Sequence, residues 1–340
     1  MSIFRCIYFL LYFSLIGTSV SSGCLLFNGN ERLSNFCLLE SFEGKVVDKN
    51  TAMIITQKVK REGYFGGLKK SHWSTSFYPN IDYSGNINGG NPDKPLILGE
   101  LEFFGDPDFL KQEGVITTLN LRANKRSTFD VGRYLQTNLS GSYSYSPEHN
   151  NSFSNASIES CFSNKIASKN SVDICASASH LNKDLSESNS KSLSFSLSNL
   201  SFSENIGFSE GKLGIINLST DDYVQNQLAL SWDTIHKENF YSAIRLKVGN
   251  PVKQQIALKY GLTLGFSRII SNRKVSLSLT HEVSDGGILL GVDRSDITNK
   301  VGFNTLVSPS ASVQLGYTSV DSSIDYFDDS YPSLSLTINW

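Results

Sequence analysis

The chain has 340 residues, with 30 Lys+Arg against 32 Asp+Glu, a formal net charge of -2 and 39% hydrophobic residues. A membrane-spanning helix needs about 20 consecutive apolar residues, and the one continuous apolar stretch, at the N-terminus, is shorter than that. This excludes a bundle of membrane-spanning helices. A net charge near zero without a basic cluster argues against nucleic acid as a partner.

The first 22 residues have the composition of an export signal. Arg5 precedes the apolar run 6–17, and Val20 and Ser22 stand where a signal peptidase requires small residues. We therefore expect residues 1–22 to be a cleaved secretory signal. Two alternatives are an uncleaved membrane anchor and lipid attachment at Cys24, which follows Ser22 and Gly23.

Without the signal, four cysteines remain: Cys24, Cys37, Cys161 and Cys175. An even number of cysteines in an exported chain indicates disulfides, and sequence spacing favours the pairs Cys24–Cys37 and Cys161–Cys175. The histidines and cysteines show no zinc-type spacing, and the chain carries no nucleotide loop or cofactor fingerprint. The sequence therefore predicts no metal and no cofactor.

From about residue 71 to the end, apolar residues alternate with small polar ones. The clearest stretch is 254–270, where Leu262, Leu264 and Phe266 alternate with Thr263 and Gly265. Successive side chains of a strand point to opposite faces, so this pattern predicts strands with one apolar and one polar face. A soluble β-sandwich also alternates, but segments of 10 residues or more, a polar face rich in Ser, Asn, Thr and Gly, and aromatic residues at segment ends favour a transmembrane barrel.

We therefore predict an all-β fold, a transmembrane antiparallel up-and-down barrel over 71–340 that follows a short segment, 23–70. The pattern indicates fourteen strands, with twelve or sixteen as alternatives. The least regular segment is 188–208, where the apolar phase changes near Ser198 and Asn199, which indicates either a bulge or a tight turn. The predicted strands are 71–86, 113–124, 130–147, 151–164, 169–181, 188–208, 211–218, 222–236, 239–249, 253–270, 273–284, 297–307, 310–320 and 331–340.

The last ten residues, YPSLSLTINW, place Leu334, Leu336, Ile338 and the terminal Trp340 on one face. This resembles the terminal strand of bacterial outer-membrane proteins. The resemblance implies insertion by the barrel assembly machinery, contact with outer-membrane lipids and a periplasmic C-terminus. The short connections 125–130, 271–273 and 308–309 then face the periplasm, and the longer connections 87–112, 285–296 and 321–330 face the outside.

The polar phase defines candidate residues of the lumen. A turn centred near Ser168 places Cys161 and Cys175 directly opposite on adjacent strands, close enough for a lumen-facing disulfide. Mixed charges on the same phase predict weak ion selectivity. These charges are Arg122, Glu159, Asp173, Arg245, Lys247, Lys259 and Glu282.

Residues 23–70 lack the alternating pattern. The Cys24–Cys37 disulfide would close a small loop, and 51–61 has the composition of a short helix with Asn50 as its N-cap. Three alternatives stay open for this segment: a periplasmic extension, a plug in the lumen, or a flexible lead into the barrel.

Three classes of function fit such a barrel. The first is a passive porin. The second is an outer-membrane phospholipase, whose His-x-Ser-Asn-Gly motif is partly matched at 281–286. Here Ser284 is three residues from His281, so the two side chains face opposite ways and form no nucleophile–base pair. We therefore expect no enzymatic activity.

The third class is assisted export. The sequence Tyr83-Ser84-Gly85-Asn86-Ile87-Asn88-Gly89 resembles the motif that opens the barrel of the surface lipoprotein assembly modifier family, which also has fourteen strands. The resemblance covers about 71–340 and implies a surface lipoprotein client. We therefore expect a role in transport across, or surface assembly at, the outer membrane, with a passive porin as the alternative. Two features depart from the family. Ser-Gly replaces Asp-Ser in the motif, and 23–70 is too short for a stack of helical repeats of about 34 residues each.

Overall fold

A computed structural model describes residues 24, 30–42, 49, 52–53, 55–57, 71–98, 100–271, 273–308 and 310–338. Within these residues, fourteen antiparallel strands form one closed barrel, and a two-stranded hairpin lies in the first long loop. The predicted all-β barrel and its strand number are confirmed. The longest helical run among the described residues is α1 (Glu31–Phe42), and the hairpin is β2 (Leu96–Leu98) and β3 (Leu101–Phe103). The barrel strands are β1 (Ser71–Ser84), β4 (Gly114–Asp130), β5 (Arg133–Ser146), β6 (Asn151–Lys165), β7 (Asn170–Asn182), β8 (Glu187–Ser203), β9 (Gly207–Thr220), β10 (Val224–His236), β11 (Phe240–Gly249), β12 (Ala257–Ile270), β13 (Arg273–Leu289), β14 (Val292–Ser308), β15 (Ala311–Ser322) and β16 (Asp329–Ile338).

Each barrel strand pairs with its neighbours in the chain, and β1 closes the barrel by pairing with both β4 and β16. Closure matters because an open sheet would leave an edge of unpaired backbone groups, which a hydrocarbon environment does not tolerate. The two mouths differ. At the turn mouth, where β1 begins and β16 ends, the connections are short. At the loop mouth, the 29-residue connection from β1 to β4 contains the hairpin.

The alternation gives the wall one apolar and one polar surface. The outer surface exposes large hydrophobic side chains on strand after strand, such as Trp73, Ile215 and Leu246. On the inner surface, hydroxyl groups of neighbouring strands pair across the ladder, for example Ser140 with Ser157 at 2.6 Å and Thr118 with Ser144 at 2.9 Å. Such pairs satisfy the polar groups that line the lumen.

Several predicted boundaries were wrong. The strand predicted at 188–208 ends at Ser203, and a turn at 204–206 leads into β9. The phase change near Ser198 is neither a bulge nor a turn, since β8 pairs regularly from Ser190 to Ser203. The connection predicted at 125–130 is part of β4, and the turn lies at 131–132. The outer loop predicted at 285–296 is instead the continuation of β13 and β14, joined at 290–291.

Ile87 and Asn88, from the motif that resembles the surface lipoprotein assembly modifier family, hold the first long loop in place at the loop mouth. Ile87 is fully buried, and the Asn88 side chain donates to the Leu110 carbonyl at 2.8 Å and accepts from the Gln112 N–H at 2.9 Å. The Asn88 carbonyl accepts from the Leu185 N–H at 2.8 Å. The loop therefore bridges from the rim above β1 to the connection after β7, with three strands in between.

Lys183 strengthens this bridge from the β7–β8 connection. Its Nζ donates to the Asn86 carbonyl at 2.7 Å and lies 5.5 Å from the centre of the Phe153 ring. Burial lowers the pKa of this ammonium below its ordinary value. The first loop thus covers part of the loop mouth through contacts made inside the protein.

Candidate functional site in the barrel lumen

The helix α1 lies inside the turn mouth of the barrel. Asn30 caps its first turn, since the Asn30 side chain accepts from the Leu33 N–H at 3.0 Å. The predicted disulfide Cys24–Cys37 is confirmed, and both cysteines are fully buried. It holds Cys24 against the helix, where the Cys24 carbonyl accepts from the Ser34 hydroxyl.

A cluster of charges connects the start of this helix to the wall. Arg32 lies 2.7 Å from Asp173 on β7 and 3.2 Å from Glu210 on β9. The Asn30 amide donates to Glu210 at 2.5 Å and to Asp233 on β10 at 3.1 Å. The three acidic residues are 3%, 4% and 7% exposed, so their charges depend on these partners. We call these five residues the charge latch.

Two of the three acids have further partners on the wall itself. Asp173 accepts from the Ser163 hydroxyl at 2.7 Å and from Lys212 at 3.1 Å. Asp233 accepts from the Tyr241 hydroxyl at 2.6 Å and lies 3.7 Å from Arg245. The wall therefore neutralises part of this acidic charge without the helix.

The helix also reaches the far side of the lumen. Glu31 forms an ion pair with Arg126 on β4, and Arg126 donates to Gln136 at 3.0 Å. On the other side, Asn30 at the start of α1 donates to Asp233 on β10. Around the ring of fourteen strands, β4 and β10 are six positions apart in one direction and eight in the other. The contacts at the start of α1 therefore reach nearly opposite sides of the lumen.

An apolar cluster lies beneath the helix, on the lumen side of the wall. Leu200, Phe208 and Ile235 are 4%, 4% and 2% exposed, and they pack with Leu33 and Phe36 of the helix. The Phe36 and Phe208 rings meet edge to face with their centres 5.9 Å apart. Leu200 belongs to the predicted phase change. The alternation of β8 directs this position into the lumen, and an apolar side chain is accommodated there because the helix covers it. The sequence signal was present, but it was interpreted as a bulge or a turn.

The strand phase places six of the seven predicted charges on the lumen face, but it does not bring them together in one place. The seventh, Lys259, lies at a register shift between Leu258 and Tyr260, where the alternation is interrupted. Asp173 and Arg245 belong to or adjoin the charge latch. Elsewhere, Glu159 accepts from Asn138 at 3.2 Å, Glu282 lies 3.4 Å from Lys300, and Lys259 lies 3.1 Å from Asp285. The remaining two are Arg122, 5.2 Å from the Tyr78 ring centre, and Lys247, which pairs with Gly261 across the ladder.

The disulfide Cys161–Cys175 is confirmed as a link between directly paired residues of β6 and β7. It lies on the lumen face. The next inward-facing pair of residues on the same two strands is Ser163 and Asp173. Glu159 and the two sulfur atoms lie within 4.8 Å of one another. Because the two sulfurs are bonded to each other, they do not act as a pair of thiolate ligands.

His281 lies on the regular part of β13, which pairs with β14 without interruption from Val275 to Ser284. Its Nδ1 lies 2.8 Å from the Asn299 side-chain oxygen. Ser284 is three positions along the same strand, so its side chain points to the opposite face. The structure therefore does not pair these two groups as nucleophile and base.

The C-terminal face is described as far as Ile338. Leu334, Leu336 and Ile338 pair with Leu315, Val313 and Ala311 of β15, and Trp340 lies outside the described residues. The same holds for the predicted signal, 1–22. Of the helix predicted at 51–61, residues 52–53 and 55–57 are helical, and the rest is outside the described residues. No helix among the described residues is long and apolar enough to cross a membrane.

The fold and site define a closed β-barrel with an apolar outer surface and a polar lumen that contains a helix. The sequence matches no known family model and no curated protein. The fold is similar to solved structures of other barrels. A BenF-like porin from Pseudomonas fluorescens Pf-5 is 8% identical, with 81% of this chain and 100% of that chain covered at a TM-score of 0.41. CdiB from Acinetobacter baumannii is 9% identical, with 87% and 69% covered at a TM-score of 0.44. At these values the likeness concerns barrel architecture alone.

Proposed function

We propose that this protein is an outer-membrane β-barrel that provides a route for polar solutes across the membrane. The observation that carries the proposal is the division of the wall into an apolar outside and a hydrogen-bonded, charged inside. A soluble barrel would place water on the outside and reverse this division, whereas lipid outside and water inside require it.

The orientation follows from the lengths of the connections at the two mouths. The turn mouth faces the periplasm and the loop mouth faces the exterior, as in bacterial barrels with short inner turns and longer outer loops. Residues 1–22 direct export and are then removed, and the last strand carries the signal for insertion into the outer membrane. The mixed charges of the lumen give this route weak ion selectivity.

A role in lipoprotein assembly is a narrower proposal, and it rests on the resemblance of residues 84–88 alone. In the structure, Asn86, Ile87 and Asn88 fasten the first loop, which gives them a role that involves no client. Deletion of the gene, followed by surface labelling of lipoproteins, tests this role directly. Loss of one lipoprotein from the surface supports assembly, and an unchanged set rejects it.

Planar-bilayer recording on the purified full-length protein tests the transport proposal. We expect stepwise conductance with little preference between cations and anions. A gel-shift on heating, which distinguishes a closed barrel from an unfolded chain, serves as the folding control. Folded protein that fractionates with the outer membrane but never conducts, even after the helix is released as described below, would reject the proposal.

A further inference from the structure

We infer that α1 is a gate of the lumen, held closed by the charge latch of Asn30 and Arg32 with Asp173, Glu210 and Asp233. The inference rests on the proposed transport function and adds its regulation. In this arrangement the turn mouth is narrowed while the helix is docked, and it opens when Arg32 leaves the acidic residues of the wall.

The position of the helix supports a gate. The start of the helix contacts Arg126 on β4 on one side and Asp233 on β10 on the other, so it bridges the lumen. A helix with its side chains is about 10–12 Å wide. A body of this width between opposite sides of the barrel narrows the path for solutes at that mouth.

The chemistry of the wall supports release. When Arg32 leaves, Asp173 keeps its hydrogen bond from Ser163 and its contact with Lys212. Asp233 keeps the Tyr241 hydroxyl and the nearby Arg245. An uncompensated buried charge would make release costly, and these partners reduce that cost. Asp173 and Asp233 therefore keep compensating partners after release, whereas Glu210 gives up its hydrogen bonds from Asn30 and Arg32.

Two features of the helix itself oppose docking. It has 12 residues, and isolated helices of that length are marginal in water. Among the described residues, neither side-chain polar atom of Asn35 has a hydrogen-bond partner, although both are buried. Burial of an unsatisfied amide opposes docking.

The tether is long enough for the helix to leave the lumen. Between Phe42 and Ser71 the chain has 28 residues, which span at most about 90 Å when extended. The hydrocarbon core of a membrane is about 30 Å thick. Ile55 in this tether belongs to the apolar cluster around the helix, so it has to leave its position together with the helix. Once Ile55 is released, the helix can leave through the turn mouth while it remains joined to the barrel.

The test compares Arg32→Gln with a matched control at the same mouth, Arg133→Gln, whose side chain is exposed. In planar bilayers we expect Arg32→Gln to raise the fraction of time spent in the open level at least tenfold. Asp173→Asn should have the same direction of effect, and the double variant should add less than the two single effects together, since the two residues contact each other. Arg133→Gln should behave like the wild type.

A second measurement locates the helix without any conductance. Trypsin cleaves after Arg32, and docking protects this bond, so we expect Glu210→Gln and Asp173→Asn to speed cleavage at Arg32 at least tenfold. If cleavage and conductance are both unchanged while the wild type conducts, the gate is rejected and the transport function stands. If cleavage accelerates but no variant conducts, the helix is released from a barrel that is not a channel, and the proposed function fails.

Discussion

Phe208 offers the most direct measure of how firmly the helix is docked. The residue is on the lumen side of β9, and its ring is 4% exposed because Phe36 of the helix covers it. When the helix leaves, this ring faces the watery lumen. Truncation in Phe208→Ala therefore weakens the docked state and leaves the wall almost unchanged.

The expected magnitude follows from the contacts that are lost. Burial of a phenylalanine side chain stabilises by about 1.5–3 kcal/mol, and an edge-to-face aromatic pair adds about 0.5–1.5 kcal/mol. The Phe202 ring lies 4.8 Å from the Phe208 ring and shields one side of it in both states, so we take the lower part of this range. A loss of about 2–3 kcal/mol shifts the docking equilibrium roughly 30- to 150-fold towards release.

Hydrogen exchange on the reconstituted full-length protein measures this shift. The amides of residues 31–42 exchange when the helix leaves and unfolds, so their rates should rise roughly 30- to 150-fold in Phe208→Ala. The matched control is Phe195→Ala, on the outer face of the adjacent strand and 46% exposed. It should leave these rates unchanged. Equal rates in Phe208→Ala and wild type, with the barrel folded in both, would refute docking on this surface.

Four other variants test separate parts of the structure. Asn35→Leu removes a buried amide without hydrogen-bond partners among the described residues, whose burial costs about 1–3 kcal/mol. Hydrogen exchange of the α1 amides should therefore slow about 5- to 150-fold, and faster exchange would contradict the assigned burial. Leu246→Arg places a charge on the outer face midway along β11. It should lower the unfolding free energy in lipid by about 2–4 kcal/mol. An unchanged unfolding free energy would argue against lipid contact at this position. Asn88→Ala removes the side chain that fastens the first loop, so limited proteolysis within 85–113 should accelerate, and an unchanged pattern would show that the loop is held elsewhere. Replacement of Cys161 and Cys175 by serine should lower the unfolding free energy by up to about 3 kcal/mol. If reductant lowers the unfolding free energies of the wild type and of this variant equally, the disulfide between these two residues is contradicted.

The barrel was predictable because water and lipid impose opposite demands on the two faces of each strand. Wherever both solvents are present, the sequence alternates, as at 261–267, and the strand number follows from counting such segments. Beyond the membrane both faces meet water, so the alternation disappears and the strand continues without a signal. This explains why β13 and β14 extend through 285–296 although that range was predicted as a loop.

The helix in the lumen was harder to predict. The alternative of a plug was stated for 23–70, but α1 itself was not identified. Asn30 before Glu31, followed by Leu33, Phe36 and Cys37 at helical spacing, is the local signal for its start and its buried face. The stronger signal lies far away in the chain, because Leu200, Phe208 and Ile235 are apolar residues on a face that water should line. Only the closed barrel shows that these three residues meet at one mouth.

The same argument connects the fold to the gate. A lumen filled with water does not favour Phe208 or Ile235 over the serines that occupy comparable positions on other strands, since exposure of such side chains to water is unfavourable. Their presence beside the three acidic residues of the charge latch, Asp173, Glu210 and Asp233, therefore marks a surface that is covered by protein for much of the time. The acidic groups make that cover selective for a cationic segment, and the additional wall partners of Asp173 and Asp233 make it removable. Apolar contact without the charge latch would favour a permanent plug, whereas the combination found here favours a helix that docks and leaves.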